Sequence, residues 1–308
     1  MTTASPIQPT SIHGSTPRPA IQPILSSSLD TSTKNTGAAV PRGPVTASLN
    51  FYKAPADGSK PFNYVEKPPE GEPQRNYGDQ PTSVTINDIR GRESSFNLQD
   101  NAFQALEGVP SAVTDWTSDA HIRDVYYPEV EALLLNSIPG AQRVLLFDHT
   151  IRRAEKDAHR APVARVHVDQ TPKSADQRVR FHLPAEADAL LRGRVRIVNV
   201  WRPLNGPVVS FPLAVADSAT ARDEDLVGVE HRYPDRTGET ASVRHHEGQK
   251  WYYWSGMTND ERLLLKCYDS DEAVADRGRV PHTAFTDERT PEGAPGRQSI
   301  EVRALVFG

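Results

Sequence analysis

Cysteine is almost absent from this 308-residue chain: Cys267 stands alone, so no intrachain disulfide can form, and a reducing, cytoplasmic setting is expected. No apolar run approaches the roughly 20 residues that a membrane helix needs. The N-terminus has no basic stretch leading into an apolar core, so no secretory leader is expected. Neither charge sign dominates, with 35 basic and 40 acidic residues and a net charge of −5. That balance, with no aromatics interleaved among basic clusters, argues against nucleic acid or an anionic membrane as partner. Residues 1–45 hold no aromatic residue and one acid, Asp30, while Ser, Thr and Pro crowd them. Such a segment buries too little apolar surface to offset its ordering entropy. It reads as a disordered tail ahead of a single domain over residues 46–308.

What is present beyond the tail reads mainly as strand. Short β-prone runs fall at Ser48–Tyr52, Ser83–Ile86, Arg143–His149, Val163–Asp169, Arg194–Trp201 and Pro207–Val215. More follow at Lys250–Trp254, Arg262–Tyr268 and Ile300–Phe307. Pro128–Asn136 has the marks of a helix: proline in the first turn, Glu129 and Glu131 near its positive end, then Leu133 to Leu135, with Pro139-Gly140 to stop it. A second helix is expected over Ser174–Leu191, ending at Gly193. The pattern predicts a mainly β fold with supporting helices, a double-sheet β barrel.

The chemistry starts at His167-Val168-Asp169. Residues two apart on a strand point to the same face, so both side chains can enter one cavity. Two histidines and a carboxylate suit Fe(II) and leave three coordination positions open. By itself the triplet says little, since 10 histidines and 40 acids make about one His-x-acid triplet by chance. A distant strand, Pro281-His282-Thr283-Ala284-Phe285, supplies a second histidine. Arg297-Gln298-Ser299 then leads into the final strand, where a guanidinium and a hydroxyl can clamp the far carboxylate of a dicarboxylate co-substrate.

From about Leu49 to Phe307 the chain also resembles a known family, the cephem methoxylase-like (CmcJ-like) and AsaB-like hydroxylases and desaturases, which includes a gibberellin desaturase. The resemblance is carried by Asp88-Ile89-Arg90-Gly91-Arg92-Glu93, Phe147-Asp148-His149-Thr150-Ile151-Arg152-Arg153, Asn199-Val200-Trp201-Arg202-Pro203-Leu204, Pro207-Val208 and Pro212-Leu213-Ala214. Trp251 to Trp254, Lys266 to Ser270, Pro281 to Phe285 and Arg297 to Arg303 complete it. It implies a non-haem iron oxygenase of double-stranded β-helix fold that uses Fe(II), 2-oxoglutarate and O₂ on a small molecule of secondary metabolism. Hydroxylation, desaturation and oxidative cyclisation are all within such chemistry. The resemblance makes His167, Asp169 and His282 the iron ligands, and Arg297 with Ser299 the 2-oxoglutarate clamp. Where the family often has an acid, this chain has Gln298.

Other residues admit two readings. Arg202 either binds a substrate carboxylate or pairs with an acid such as Asp217, and Asn199 and Trp201 either line the cavity or fill its floor. Trp251 to Trp254 and Cys267 read as packing, and His149 as part of a hydrogen-bonded network. His245-His246 rival His282, and Arg289 and Arg303 rival Arg297. Two other functions stay open: a metal-dependent β-barrel enzyme without 2-oxoglutarate, and a non-catalytic partner subunit. A homodimer is compatible with all of these.

Overall fold

Alternation along the strands decides which side chains meet. In the computed structural model, which describes residues 39–155, 158 and 160–308, β1 (Val45–Lys53) alternates buried and exposed positions as far as Ser48. The expected tail lies, up to residue 38, outside the described residues. The remaining strands are β2 (Phe62–Tyr64), β3 (Gly78–Asp88), β4 (Phe103–Leu106), β5 (Arg143–Arg153), β6 (His167–Val168), β7 (Val195–Pro203) and β8 (Leu213–Ala216). Then come β9 (Leu226–Arg232), β10 (Thr237–Val243), β11 (Trp251–Tyr253), β12 (Arg262–Asp269), β13 (His282–Ala284) and β14 (Gln298–Phe307). They form a nine-stranded sheet, β1-β3-β11-β8-β13-β6-β10-β9-β2, and a five-stranded sheet, β4-β12-β7-β14-β5. This is the mainly β, jelly-roll architecture expected.

Both faces of the five-stranded sheet are covered, which is why β7 is buried at every position. Ile197 and Trp201 of β7 and Leu305 and Phe307 of β14 join Val168, Val215 and Trp251 of the larger sheet in the main core. Their odd-even partners Val198, Val200, Ile300, Val302 and Val306 instead pack against Ile122, Tyr126, Val130 and Leu134. Those last four belong to the helical segment that ends with Tyr127–Ser137, the helix expected from Pro128. Among the described residues, no helix is long and apolar enough to cross a membrane.

Three expectations need correcting. The helix over Ser174–Leu191 is two, Pro172–His182 and Ala187–Leu190, because Pro184 cannot continue a helix. The strand over Val163–Asp169 shrinks to His167–Val168. Pro207–Val215 is strand only from Leu213, since Pro207 and Pro212 lack N–H donors and Phe211 has a positive φ of 48°.

Candidate metal centre and co-substrate chamber

His167 and His282 are cross-strand partners, the single residue pair joining β6 to β13. Their rings lie 4.4 Å apart, centroid to centroid. Asp169, just past the end of β6, completes a cluster whose three ligand atoms lie within 4.8 Å of one another. His167 Nδ1 is 2.8 Å from the carbonyl of Arg165, and His282 Nδ1 is 3.1 Å from that of Val280. A carbonyl can only accept, so each Nδ1 carries the proton and each Nε2 keeps its lone pair. Both Nε2 atoms face Asp169 Oδ1, at 3.3 and 3.9 Å. Burial, reinforced by His167, pulls the His282 imidazole down to about 4, so it is neutral near pH 7.

The carboxylate is held from the opposite sheet. Arg303 Nε donates to Asp169 Oδ2 at 3.0 Å, and Asn199 Nδ2 donates to the same oxygen at 2.8 Å. Oδ1 is left for the histidine side. Burial alone would push this carboxyl up. The Arg303 guanidinium leads what outweighs that and holds it well below the usual carboxylate range. The loop after Asp169 is fixed by the next helix: Thr171 caps Pro172–His182 reciprocally with Ser174, and its hydroxyl donates to Glu239 Oε1 on β10.

Period-two alternation on β14 sends Ser299, Glu301 and Arg303 to this same side. Their β5 partners are Arg152, Thr150 and Asp148. Arg303 ion-pairs with Asp148 at 3.0 Å, Asp169 at 3.0 Å and Glu301 at 2.8 Å, which raises it well above the ordinary arginine value despite burial. Arg297 differs. Its Nη1 donates to the carbonyl of Phe211 at 2.7 Å, its guanidinium lies over the Trp201 ring at 5.3 Å, and its buried Nε has no partner. Burial, with repulsion from Arg152, pulls it down to about 9. A buried guanidinium short of acceptors is a site for a carboxylate. Arg297, Trp201, His167, Asp169 and His282 line one small cavity, and Ser299 lies buried two residues along the strand from Arg297.

Of the residues weighed from sequence, His167, Asp169, His282, Arg297 and Trp201 are therefore brought together. Asn199 points at Asp169 rather than into an open pocket. Arg202 is turned away: its Nε donates to the carbonyl of Asn259 and it stacks on Trp116 at 4.6 Å, so neither the substrate contact nor a pair with Asp217 forms. His245 stacks on Phe51, and Arg289 is tied to Asp287 and Tyr253, so these rivals fall away. His149 bonds Tyr127, and Trp251 and Cys267 are buried in the core. The support given by Arg303 was missed, although the alternation Ser299, Glu301, Arg303 signalled it. The β9–β10 hairpin, with His231 and Thr240, was missed as well.

A family model described as an oxidoreductase/YMDC permease-like domain matches residues 49–307. The hydroxylase/desaturase poxK of Penicillium oxalicum is 38% identical over 299 residues, covering 87% of this chain and 92% of that protein. The chain belongs to the CmcJ/AsaB-like non-haem iron oxygenases. The aspirochlorine biosynthesis protein N of Aspergillus oryzae shares 48% identity over 141 residues, 45% of this oxygenase and 58% of that protein. The solved structure of NvfI, an iron and alpha-ketoglutarate-dependent endoperoxidase, superposes with a TM-score of 0.78 at 32% identity, covering 87% of this chain and 99% of that one.

Proposed function

We propose that residues 46–308 form an Fe(II)- and 2-oxoglutarate-dependent oxygenase acting on a small molecule of secondary metabolism, with iron held by His167, Asp169 and His282. The observation that carries the assignment is the pairing of two Nε2 lone pairs with a carboxylate oxygen whose neighbour is tied down by Arg303 and Asn199. Nitrogen and oxygen donors of this kind fit Fe(II), and the carbonyls behind the imidazoles fix ring orientation as outer partners of metal ligands do. Bound there, iron supplies the redox chemistry by which O₂ and 2-oxoglutarate oxidise a substrate C–H bond, with release of succinate and CO₂.

The chain does the rest. Arg297 and Ser299 hold the far carboxylate of 2-oxoglutarate and so aim its keto-acid end at the three ligands. Trp201 walls that chamber against water, which strengthens the charge pairing inside it. On the other side of His167 and Asp169 an open cavity of about 690 Å³ gives room for the substrate. A cytoplasmic location, with neither nucleic acid nor membrane as partner, goes with this reading and is supported by the lone cysteine and the net charge of −5.

The test is anaerobic. Fe(II) and then 2-oxoglutarate are added, and the visible spectrum is recorded beside that of Asp169→Ala. A charge-transfer band between metal and co-substrate in the wild type alone is the expected result. Bound iron with no band would instead indicate a metal enzyme that works without 2-oxoglutarate, and full iron occupancy in Asp169→Ala would remove Asp169 from the ligand set.

A further inference from the structure

The open cavity beside His167 and Asp169 has an unbalanced wall. Six arginines line it: Arg152, Arg160, Arg165, Arg178, Arg236 and Arg303. Its carboxylates are Asp148 and Asp169, and Arg303 already engages both. Arg165 is matched by Asp79 at 2.6 Å. Arg178 is not matched. Among the described residues no hydrogen bond or ion pair engages its guanidinium, which is held over the Phe147 ring at 5.2 Å. It stands on the helix Pro172–His182, anchored by the Thr171 cap close to Asp169, and so is set on a rigid element.

Arg178 also lines a second cavity of about 370 Å³, which shares Asp169, His231 and Tyr233 with the first. The rims of the two carry exposed apolar side chains, Val65 on the larger and Phe181 on the smaller, the latter 74% exposed. Arginine charge without a counter-charge in a concave wall concentrates anions, and exposed apolar surface at a pocket mouth calls for an apolar body. 2-Oxoglutarate does not account for Arg178, because Arg178 is not part of the cavity that contains Arg297.

We infer that the substrate is an apolar molecule carrying a carboxylate, which Arg178 pairs with while the apolar body lies along the rim at Phe181 and Val65. This deepens the oxygenase reading and rests on it. It makes Arg178 a substrate-binding residue that sets which end of the substrate faces the metal ligands.

The test uses a matched pair of fluorescent probes, 1-pyrenebutanoate and 1-pyrenebutanol, titrated into metal-free protein and followed by anisotropy. The carboxylate is expected to bind about tenfold more tightly than the alcohol, the worth of one charge-assisted pair. Arg178→Gln should remove that preference and change alcohol binding by less than about twofold, while Arg178→Lys should keep much of it. Arg297→Leu should leave both titrations as they are. An unchanged carboxylate affinity in Arg178→Gln, an equal loss of both probes, or a loss confined to Arg297→Leu would each overturn the inference. Neither iron nor 2-oxoglutarate enters the titration. Failure here and failure of the charge-transfer experiment are therefore distinguishable.

Discussion

Two arginines, Arg297 just before the final strand and Arg303 within it, live in opposite circumstances. Arg303 is surrounded by Asp148, Asp169 and Glu301 and has its charge reinforced. Arg297 is more deeply buried, but has one carbonyl, one indole face and an Nε with nothing to bond. The difference separates two kinds of buried charge. A satisfied guanidinium is part of the frame, and removing it strands its partners. A starved one costs stability in the empty protein and recovers that cost when an anion arrives.

The largest effect is expected where that frame is broken. Arg303→Leu leaves Asp169 and Glu301 buried without their cation and should cost about 3–5 kcal/mol in urea unfolding of the metal-free protein. Arg297→Leu should cost no more than about 1 kcal/mol in the same experiment, because the cation removed was poorly compensated. An equal loss from both would end the contrast. Next, Arg297→Leu should raise the 2-oxoglutarate dissociation constant on the order of a hundredfold with iron still bound, read from the anaerobic titration. An unchanged constant would move the clamp to another residue.

Smaller effects sharpen the picture. Asn199→Ala removes one of two donors from Asp169 Oδ2, and iron affinity should fall about tenfold by competition with a chelator. Ser299→Ala should weaken 2-oxoglutarate by only about 1 kcal/mol, the worth of a neutral hydroxyl bond. Arg202→Met should leave both iron and 2-oxoglutarate binding within about twofold of wild type, since its partners lie on the far side of β7.

How much of this the sequence revealed depends on how local the signal was. His167 and Asp169 were legible because a spacing of two is a local geometric rule. His282 and Arg297 were legible because each sits in or beside a short run of recognisable strand character. The role of Arg303 is hidden from any local reading, because its partners Asp148 and Asp169 come from distant parts of the chain. The β9–β10 hairpin was hidden for a different reason. Its residues His231, Glu239 and Thr240 are polar because they border open cavities, so the apolar alternation that betrays a half-buried strand is missing. Arg202 shows the reverse error: alternation put it opposite Trp201, which was correct, but the far face of β7 is covered by Trp116 and Tyr126 rather than open to ligand. Pro184 alone was enough to divide the second helix.

The shortness of β6 has a consequence for how the barrel holds together. Two residues of strand, bridged to β13 through one residue pair, make a seam with few backbone hydrogen bonds in the middle of a nine-stranded sheet. A metal ion bound by His167 and His282 would span that seam and close a very long loop of chain, acting as a rivet between segments that find each other late in folding. Backbone amides of β6 and β13 should then exchange with deuterium much more slowly once iron is added, while those of β14, zipped along its whole length to β5 and β7, barely change.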